Sequence, residues 1–167
     1  MVFLNRKFTN RREHLTLTVV AFLFALMFVL VLVAVGVLLL LSPGKPNPFL
    51  DNNGRSLAGS ISEKIKIQIN GVDQGMIIKA KNIRNPVLLY LHGGMPDYFL
   101  TQRYPTGLDD NFVVVWWEQR GSGLSYDANS PQALVNTEQL MLDTVAVTNY
   151  LRVRFGQEKI YLMGHSG

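Results

Sequence analysis

The sequence predicts an α/β protein in which a transmembrane helix precedes an antiparallel β-hairpin and then a parallel β–α–β arrangement. Residues 15–41 contain no charged residue over 27 positions. Residues 61–80 alternate apolar and polar side chains around an Asn-Gly pair, as half-buried hairpin strands do. Continuous apolar runs at 86–91, 112–117 and just before Gly164 end in glycine-rich turns, which is typical of strands covered on both faces of a parallel sheet.

The apolar run at 15–41 is long enough to cross a bilayer, since about 20 such residues span the hydrocarbon core and a longer helix can tilt. The apolar region of a secretory signal has only about 7–15 residues. We therefore expect an uncleaved single-pass anchor. A cleaved signal and a buried core helix remain alternatives.

Most of the excess positive charge precedes this run. The chain has a formal net charge of +4, and residues 1–14 contribute +3 of it, through Arg6, Lys7, Arg11 and Arg12 against Glu13. The positive-inside rule then predicts that residues 1–14 are cytoplasmic and that everything after Ser42 is extracytoplasmic. The remaining residues carry no basic stripe with interleaved aromatic residues, which excludes nucleic acid as a partner. The absence of cysteine excludes disulfides and thiolate metal sites.

A linker and a hairpin follow the apolar run. Prolines and other turn residues at 42–60 predict a surface linker, so the folded domain is expected over 61–167. Isoleucines alternate with polar residues from Ile61 to Ile69, and Asn70-Gly71 has the composition of a two-residue hairpin turn. The returning strand is expected from Met76 to Ala80.

Two connections complete the predicted arrangement. Residues 96–108 have room for a short crossover helix. A longer helix is expected to begin at Asn136 or Thr137, either of which can cap it, and to end at Gly156. Its buried face is predicted to carry Leu140, Val147, Leu151 and Phe155 together with Asp143 and Thr144.

The candidate site lies where the three parallel strands end, because ligands of open α/β sheets bind beyond the carboxyl ends of the strands. Gly164-His165-Ser166-Gly167 matches the first four positions of the G-x-S-x-G nucleophile elbow, so Ser166 is the candidate nucleophile. The backbone N–H groups of Gly94 and Gly167 are the candidate oxyanion donors. An ordinary turn remains the alternative for each glycine-rich segment taken alone.

The other polar residues near these turns have structural interpretations. His92 is predicted to bond neighbouring loop backbone, and His165 to be structural, so that neither serves Ser166 as a base. Arg120 is expected to order its loop by pairing with Asp143 or Glu118. Both tryptophans, at 116 and 117, are expected in the core.

Three segments together resemble a known family. They are Leu91-His92-Gly93-Gly94, the run Trp-Glu-Gln-Arg-Gly-Ser-Gly-Leu-Ser at 117–125, and Gly164-His165-Ser166-Gly167. In order and spacing they are similar to the motifs of α/β hydrolases and, among these, of the proline iminopeptidase group. Met95 before Pro96, and Glu118 in place of the aspartate usual in that group, are departures. The resemblance implies the front part of an α/β-hydrolase sheet, truncated at the nucleophile elbow.

The resemblance also implies a function. It is that of an aminopeptidase-like serine hydrolase that acts on a small peptide or ester and needs no metal or organic cofactor, and the apolar run at 15–41 would anchor it in the membrane. The family's acid and base histidine would follow Gly167, so the 167 residues alone are expected to be inactive. An esterase or lipase on the same fold, and an inactive membrane-anchored fragment, are the alternatives. The sequence leaves the oligomeric state open.

Overall fold

The computed structural model describes residues 2–41, 44–129 and 135–166, which form two compact units divided before Gly44. The first unit is one helix, α1 (Val2–Leu41). Within its segment His14–Leu40, an 18-residue window has a mean hydropathy of 3.2. By length and composition this helix could cross a membrane. A signal sequence near the N-terminus can have the same length and composition.

The second unit is a five-stranded sheet with helices on its faces. In chain order its elements are β1 (Ile61–Ile69), β2 (Val72–Ala80), β3 (Val87–Leu91), α2 (Tyr98–Arg103), α3 (Leu108–Asn111), β4 (Val113–Trp117), a 3₁₀ turn (Gly123–Ser125), α4 (Thr137–Phe155) and β5 (Tyr161–Gly164). The strands lie in the order β1-β2-β4-β3-β5. The predicted hairpin and the parallel pairs are both present.

The hairpin turn has the backbone that its sequence predicts. Asn70 has φ 46° and Gly71 has φ 80°, which is the left-handed pair of a type I′ turn. The prediction that the returning strand begins at Met76 is wrong, because β2 already begins at Val72. Gly75 therefore lies inside the strand, where a Cβ would come within 2.3 Å of the Leu124 Cβ. Gly75 gives room for the 3₁₀ turn to pack on the strand.

The three parallel strands end at one level. β3 pairs with β4 and with β5, and Leu91 is opposite Trp117 on one side and Gly164 on the other. Because the register aligns the last residues, the turns that follow the three strands emerge at the same edge of the sheet.

The prediction that all three apolar runs are covered on both faces is wrong for β5, an edge strand among the described residues, whose side chains are all exposed. It is confirmed for β4, where every side chain is buried, and for Val87–Leu89 of β3. Alternate residues face two apolar clusters, one with Trp117 and the α4 residues Val147 and Leu151, the other with Trp116 and Tyr98 of α2. α4 has the predicted bounds. The Asn136 side chain accepts a hydrogen bond from Gln139 N at 2.8 Å, and Gly156, with φ 62°, ends the helix.

Residues 44–60 pack on the hairpin. The Ser62 hydroxyl donates to the Asn47 carbonyl at 2.7 Å, and the Lys79 ammonium lies 4.5 Å from the centre of the Phe49 ring. In the described part of the chain this segment is thus seated against strands β1 and β2. Residues 42 and 43 lie outside the described residues.

Candidate active site

A cleft of about 630 Å³ lies at the carboxyl ends of the parallel strands. Its lining comes from the turns after β3, β4 and β5 and from one face of α4: Leu91, His92, Gly93, Gln119, Leu140, Thr144, Gly164, His165 and Ser166. The register of the strands explains why these turns meet, since all three end level with Leu91. The structure thus brings residues of all three turns to one rim, as the topology predicts, although the turn after β4 contributes Gln119 and not its glycines.

Ser166 lies two residues after the end of β5 and has an unusual backbone conformation. Its φ is 54°, in the left-handed region that a non-glycine residue rarely adopts. Such a conformation costs about 1–3 kcal/mol and persists where surrounding structure holds it. Here the preceding residue is held, because His165 N donates to the Leu91 carbonyl at 3.0 Å and so extends the β3–β5 pairing past Gly164.

The glycine that contacts the serine is Gly93. A Cβ on Gly93 would lie 2.0 Å from the Ser166 carbonyl oxygen, so only glycine fits between the two turns. Gly94 has nothing within 4 Å of the position of a Cβ and does not line the cleft. Gly167, the other candidate oxyanion donor, lies outside the described residues. Sequence reasoning overlooked Gly93, because either of two consecutive glycines can allow a close backbone approach.

His92 is buried and bonded on both ring nitrogens, as expected of a turn histidine. Nδ1 lies 2.6 Å from the Gly93 carbonyl oxygen, and Nε2 accepts from Gln119 N at 3.1 Å. The Ser122 hydroxyl oxygen is 3.2 Å from the same Nε2, and the Gln119 side-chain amide donates to the His92 carbonyl at 2.8 Å. With both nitrogens engaged in the loop, His92 is not available to Ser166 as a base.

His165 lies beside a second small polar group. Its side chain is 66% exposed, and its Nδ1 is 3.8 Å from Asp97 Oδ2, which also accepts the Tyr90 hydroxyl at 2.8 Å. Burial, and then the hydrogen bond to Asp97, raise the pKa of Tyr90 to about 12. The phenol is therefore a hydrogen-bond donor at neutral pH, and Asp97 connects the turn after β3 with the turn that carries Ser166.

The turn after β4 is ordered by its own side chains. Glu118 is buried, and its carboxylate accepts the backbone N–H of Leu124. The Ser125 hydroxyl donates to the Glu118 carbonyl and accepts Gly75 N at 2.7 Å. Gly123 has φ 44°, and a Cβ there would meet the Glu118 carboxylate at 1.9 Å. Glycine is thus required where the carboxylate closes the turn.

Arg120 pairs with Asp143, one of its two predicted partners. Asp143, on α4, also accepts hydrogen bonds from Asn70 at 2.8 Å, Gln74 at 2.7 Å and Gln139 at 2.9 Å. Burial alone would raise the pKa of the Asp143 carboxyl, but the hydrogen bonds, led by that of Arg120, outweigh burial and lower it. This aspartate joins the hairpin turn, β2, α4 and the turn after β4.

No group of three or more histidine, aspartate or glutamate side chains in the described ranges is placed to hold a metal ion. What the cleft offers is an exposed serine on a strained turn, a glycine turn in contact with it, and an ordered loop behind that turn.

Comparison with known proteins agrees with this architecture. No protein-family model matches the chain. Over 109 residues it is 37% identical to the probable aminopeptidase YbaC of Bacillus subtilis (strain 168), covering 64% of this chain and 34% of that protein. The chain thus spans about a third of the length of this relative.

Solved structures show the same fold. A proline iminopeptidase-related protein from Thermus thermophilus is 27% identical with a TM-score of 0.50, covering 62% of this chain and 35% of its own. Epoxide hydrolase VrEH1 from Vigna radiata is 24% identical with a TM-score of 0.50, covering 66% and 33% respectively. At that identity the second shows the fold alone. The chain therefore has the fold of the N-terminal portion of an α/β hydrolase and is similar to proteins of the proline iminopeptidase group.

Proposed function

We propose that the protein is a membrane-anchored serine hydrolase in which Ser166 is the nucleophile. One observation carries the proposal: a serine with φ 54° lies two residues after the end of β5, in the cleft where the other strand ends meet. A nucleophile elbow has this strained turn, which exposes the hydroxyl above the sheet. The similarity to a probable aminopeptidase favours a peptide over an ester as substrate.

The reaction would be acyl transfer in two steps. The Ser166 hydroxyl would attack the carbonyl carbon, and its proton would pass through a general base to the leaving amine. Water would then attack the acyl-serine, restoring the hydroxyl and releasing the acid. In each step the carbonyl oxygen becomes negative, and the backbone N–H groups of Gly94 and Gly167 are proposed to stabilise it. Losing one such donor costs about 10²–10³ in kcat.

We propose that neither histidine of the described cleft is the general base. Both ring nitrogens of His92 lie at hydrogen-bonding distance from loop atoms, and the Nδ1 of His165 lies 3.8 Å from Asp97. We propose that the base belongs to a part of the natural protein outside these residues. Losing the base costs about a millionfold in kcat in a serine hydrolase, so activity should be measured on the full natural protein.

A fluorophosphonate probe, which reacts with activated serines, tests the nucleophile. The full natural protein should be labelled, the Ser166→Ala variant should not, and Ser60→Ala should be labelled like wild type. Ser60 is a suitable control because its hydroxyl donates to the Leu57 carbonyl, away from the cleft residues. Equal labelling of Ser166→Ala would assign the reaction to another serine. A folded wild-type protein that is never labelled would contradict the hydrolase proposal.

The substrate class is tested separately. With Ser166 active, kcat/KM should be higher for aminoacyl arylamides with a free amino group than for N-acetylated arylamides or short-chain esters. A higher kcat/KM for the short-chain esters than for the aminoacyl arylamides would make the protein an esterase.

A further inference from the structure

The turn after β4 is bonded to the turn after β3 at His92. The Gln119 backbone N–H can only donate, so the His92 Nε2 that it contacts at 3.1 Å is an acceptor and carries no hydrogen. In the neutral ring the hydrogen is therefore on Nδ1, which donates to the Gly93 carbonyl at 2.6 Å. The backbone of one turn thus determines the tautomer with which His92 bonds the other turn.

A second hydrogen bond joins the same two residues, Gln119 and His92. The Gln119 side-chain amide donates to the His92 carbonyl at 2.8 Å, so the ring and the backbone of His92 are both attached to Gln119. His92 is only 6% exposed. Buried hydrogen bonds of this kind are costly to leave unsatisfied, which restricts the movement of the His92–Gly93 peptide.

The position of that peptide matters because Gly93 lies against the candidate nucleophile. The space for a Cβ on Gly93 is only 2.0 Å from the Ser166 carbonyl oxygen, and Gly94 follows directly. A shift of the Gly93 peptide would therefore alter the distance between the Gly94 N–H and the reacting centre of Ser166. A displacement of about 1 Å in such a site can cost about 100-fold in rate.

We propose that His92 is a positioning residue: through its Nδ1–H bond to the Gly93 carbonyl, held in that tautomer by Gln119, it keeps the Gly93–Gly94 segment in register with Ser166. The catalytic part of this inference rests on the proposed function. The structural part, that His92 holds the segment, does not.

Two substitutions separate the bond from simple packing. His92→Leu removes both ring nitrogens and keeps the apolar volume. His92→Asn places an amide nitrogen where Nδ1 stood and can still donate to the Gly93 carbonyl. We expect His92→Leu to lower kcat and the fluorophosphonate labelling rate at least about tenfold, within the effect of a displaced donor, with KM nearly unchanged. His92→Asn should recover most of that loss.

The matched control is Gln157→Ala, because the Gln157 side chain bonds the start of β3, at the opposite end of that strand from His92. The Gln157 side chain accepts Val87 N at 2.9 Å and donates to the Asn85 carbonyl at 2.8 Å. Its removal should lower stability without changing the labelling rate of the folded fraction. If Gln157→Ala lowers the labelling rate as much as His92→Leu, loss of stability explains the effect and the proposal is wrong.

Hydrogen exchange of residues 92–95, measured by mass spectrometry on the full natural protein, needs no activity. Faster exchange in His92→Leu, with near wild-type exchange in His92→Asn, would support the positioning role even if wild type were never labelled, which would contradict only the hydrolase proposal. Unchanged exchange in His92→Leu, or an Asn variant no better than Leu in exchange, would overturn the positioning role itself.

Discussion

Arg120 and Asp143 form a buried two-point ion pair, in which Nε donates to Oδ2 at 2.8 Å and Nη2 donates to Oδ1 at 3.0 Å. The side chains are 4% and 0% exposed. Trp117, in the centre of the sheet, is linked to this pair because its indole N–H donates to Gln74, whose amide donates to Asp143. The turn after β4 contributes Gln119 to the lining of the cleft, and the ion pair attaches this turn to α4.

Removing one partner of this pair should destabilise the protein strongly, since it leaves a buried charge without compensation. We expect Arg120→Ala to lower the free energy of unfolding by about 3–5 kcal/mol. Lys81→Ala, which removes an exposed ion pair with Asp110, should change it little. Urea unfolding of the full natural protein in detergent measures both. Equal, small effects of the two variants would show that the buried pair is not a major source of stability.

The same aspartate should make stability depend on acid pH. Because the pKa of Asp143 is lower in the folded protein than its ordinary value of 3.8, its stabilising contribution is complete above 3.8. It is lost as the pH falls from there through the lower folded pKa. The difference in unfolding free energy between wild type and Asp143→Asn should therefore shrink as the pH falls below 3.8. A difference that stays constant would contradict the assigned cause of the pKa shift.

The two glycines after His92 should respond differently to alanine. A methyl group on Gly93 would collide with the Ser166 backbone, whereas one on Gly94 would meet open space. Gly93→Ala should therefore lower the unfolding midpoint and abolish probe labelling at Ser166. Gly94→Ala should keep a midpoint close to wild type. Thermal unfolding followed by circular dichroism compares them, and an equal fall for both would contradict the described approach of the two turns.

The Tyr90–Asp97 hydrogen bond should be visible in the titration of the phenol. The pKa of Tyr90 is raised to about 12, so its contribution to stability is complete below the ordinary value of 10.0 and is lost as the pH rises through about 12. Asp97→Asn should lower this pKa. The difference in ultraviolet absorbance between wild type and Tyr90→Phe, recorded against pH, isolates this tyrosine. An unchanged pKa in Asp97→Asn would assign the shift to burial alone.

The proposed anchor predicts how the protein fractionates. Wild type should remain in membranes after alkaline carbonate extraction, and its N-terminal peptide should be retained on mass spectrometry. Replacing Leu26 and Leu30 with arginine should release it, since each arginine near the helix centre costs about 2.5–3.5 kcal/mol of insertion. An N-terminus that begins after residue 41 would instead identify a cleaved signal.

Orientation is tested on the intact cell. If the positive-inside rule holds for the flank at 1–14, an externally added protease should cleave the domain and leave a tag at the N-terminus protected. The reverse result would contradict the predicted topology.

The elements governed by neighbouring residues could be predicted from the sequence. The type I′ turn follows from Asn70-Gly71, because both positions need a left-handed backbone. The bounds of α4 follow from the Asn136 side chain and from Gly156, which satisfy or end the helix locally. Five consecutive apolar residues predict the burial of β4, but the apolar run of β5 is exposed, because that strand lies at the edge of the sheet in the described residues. Ser166 as candidate nucleophile also came from a short local pattern.

Only the tertiary structure decided the relations between distant segments. In the structure β3 lies between β4 and β5. Arg120 pairs with Asp143 and not with Glu118, and Gly93, not Gly94, contacts Ser166. The structure also showed that Gly75 belongs to a strand, since the reason for a glycine there is Leu124, far away in sequence. Local propensity describes which backbone a residue can adopt. Which of two similar residues makes a contact depends on strand order and register, which arise when the whole sheet packs.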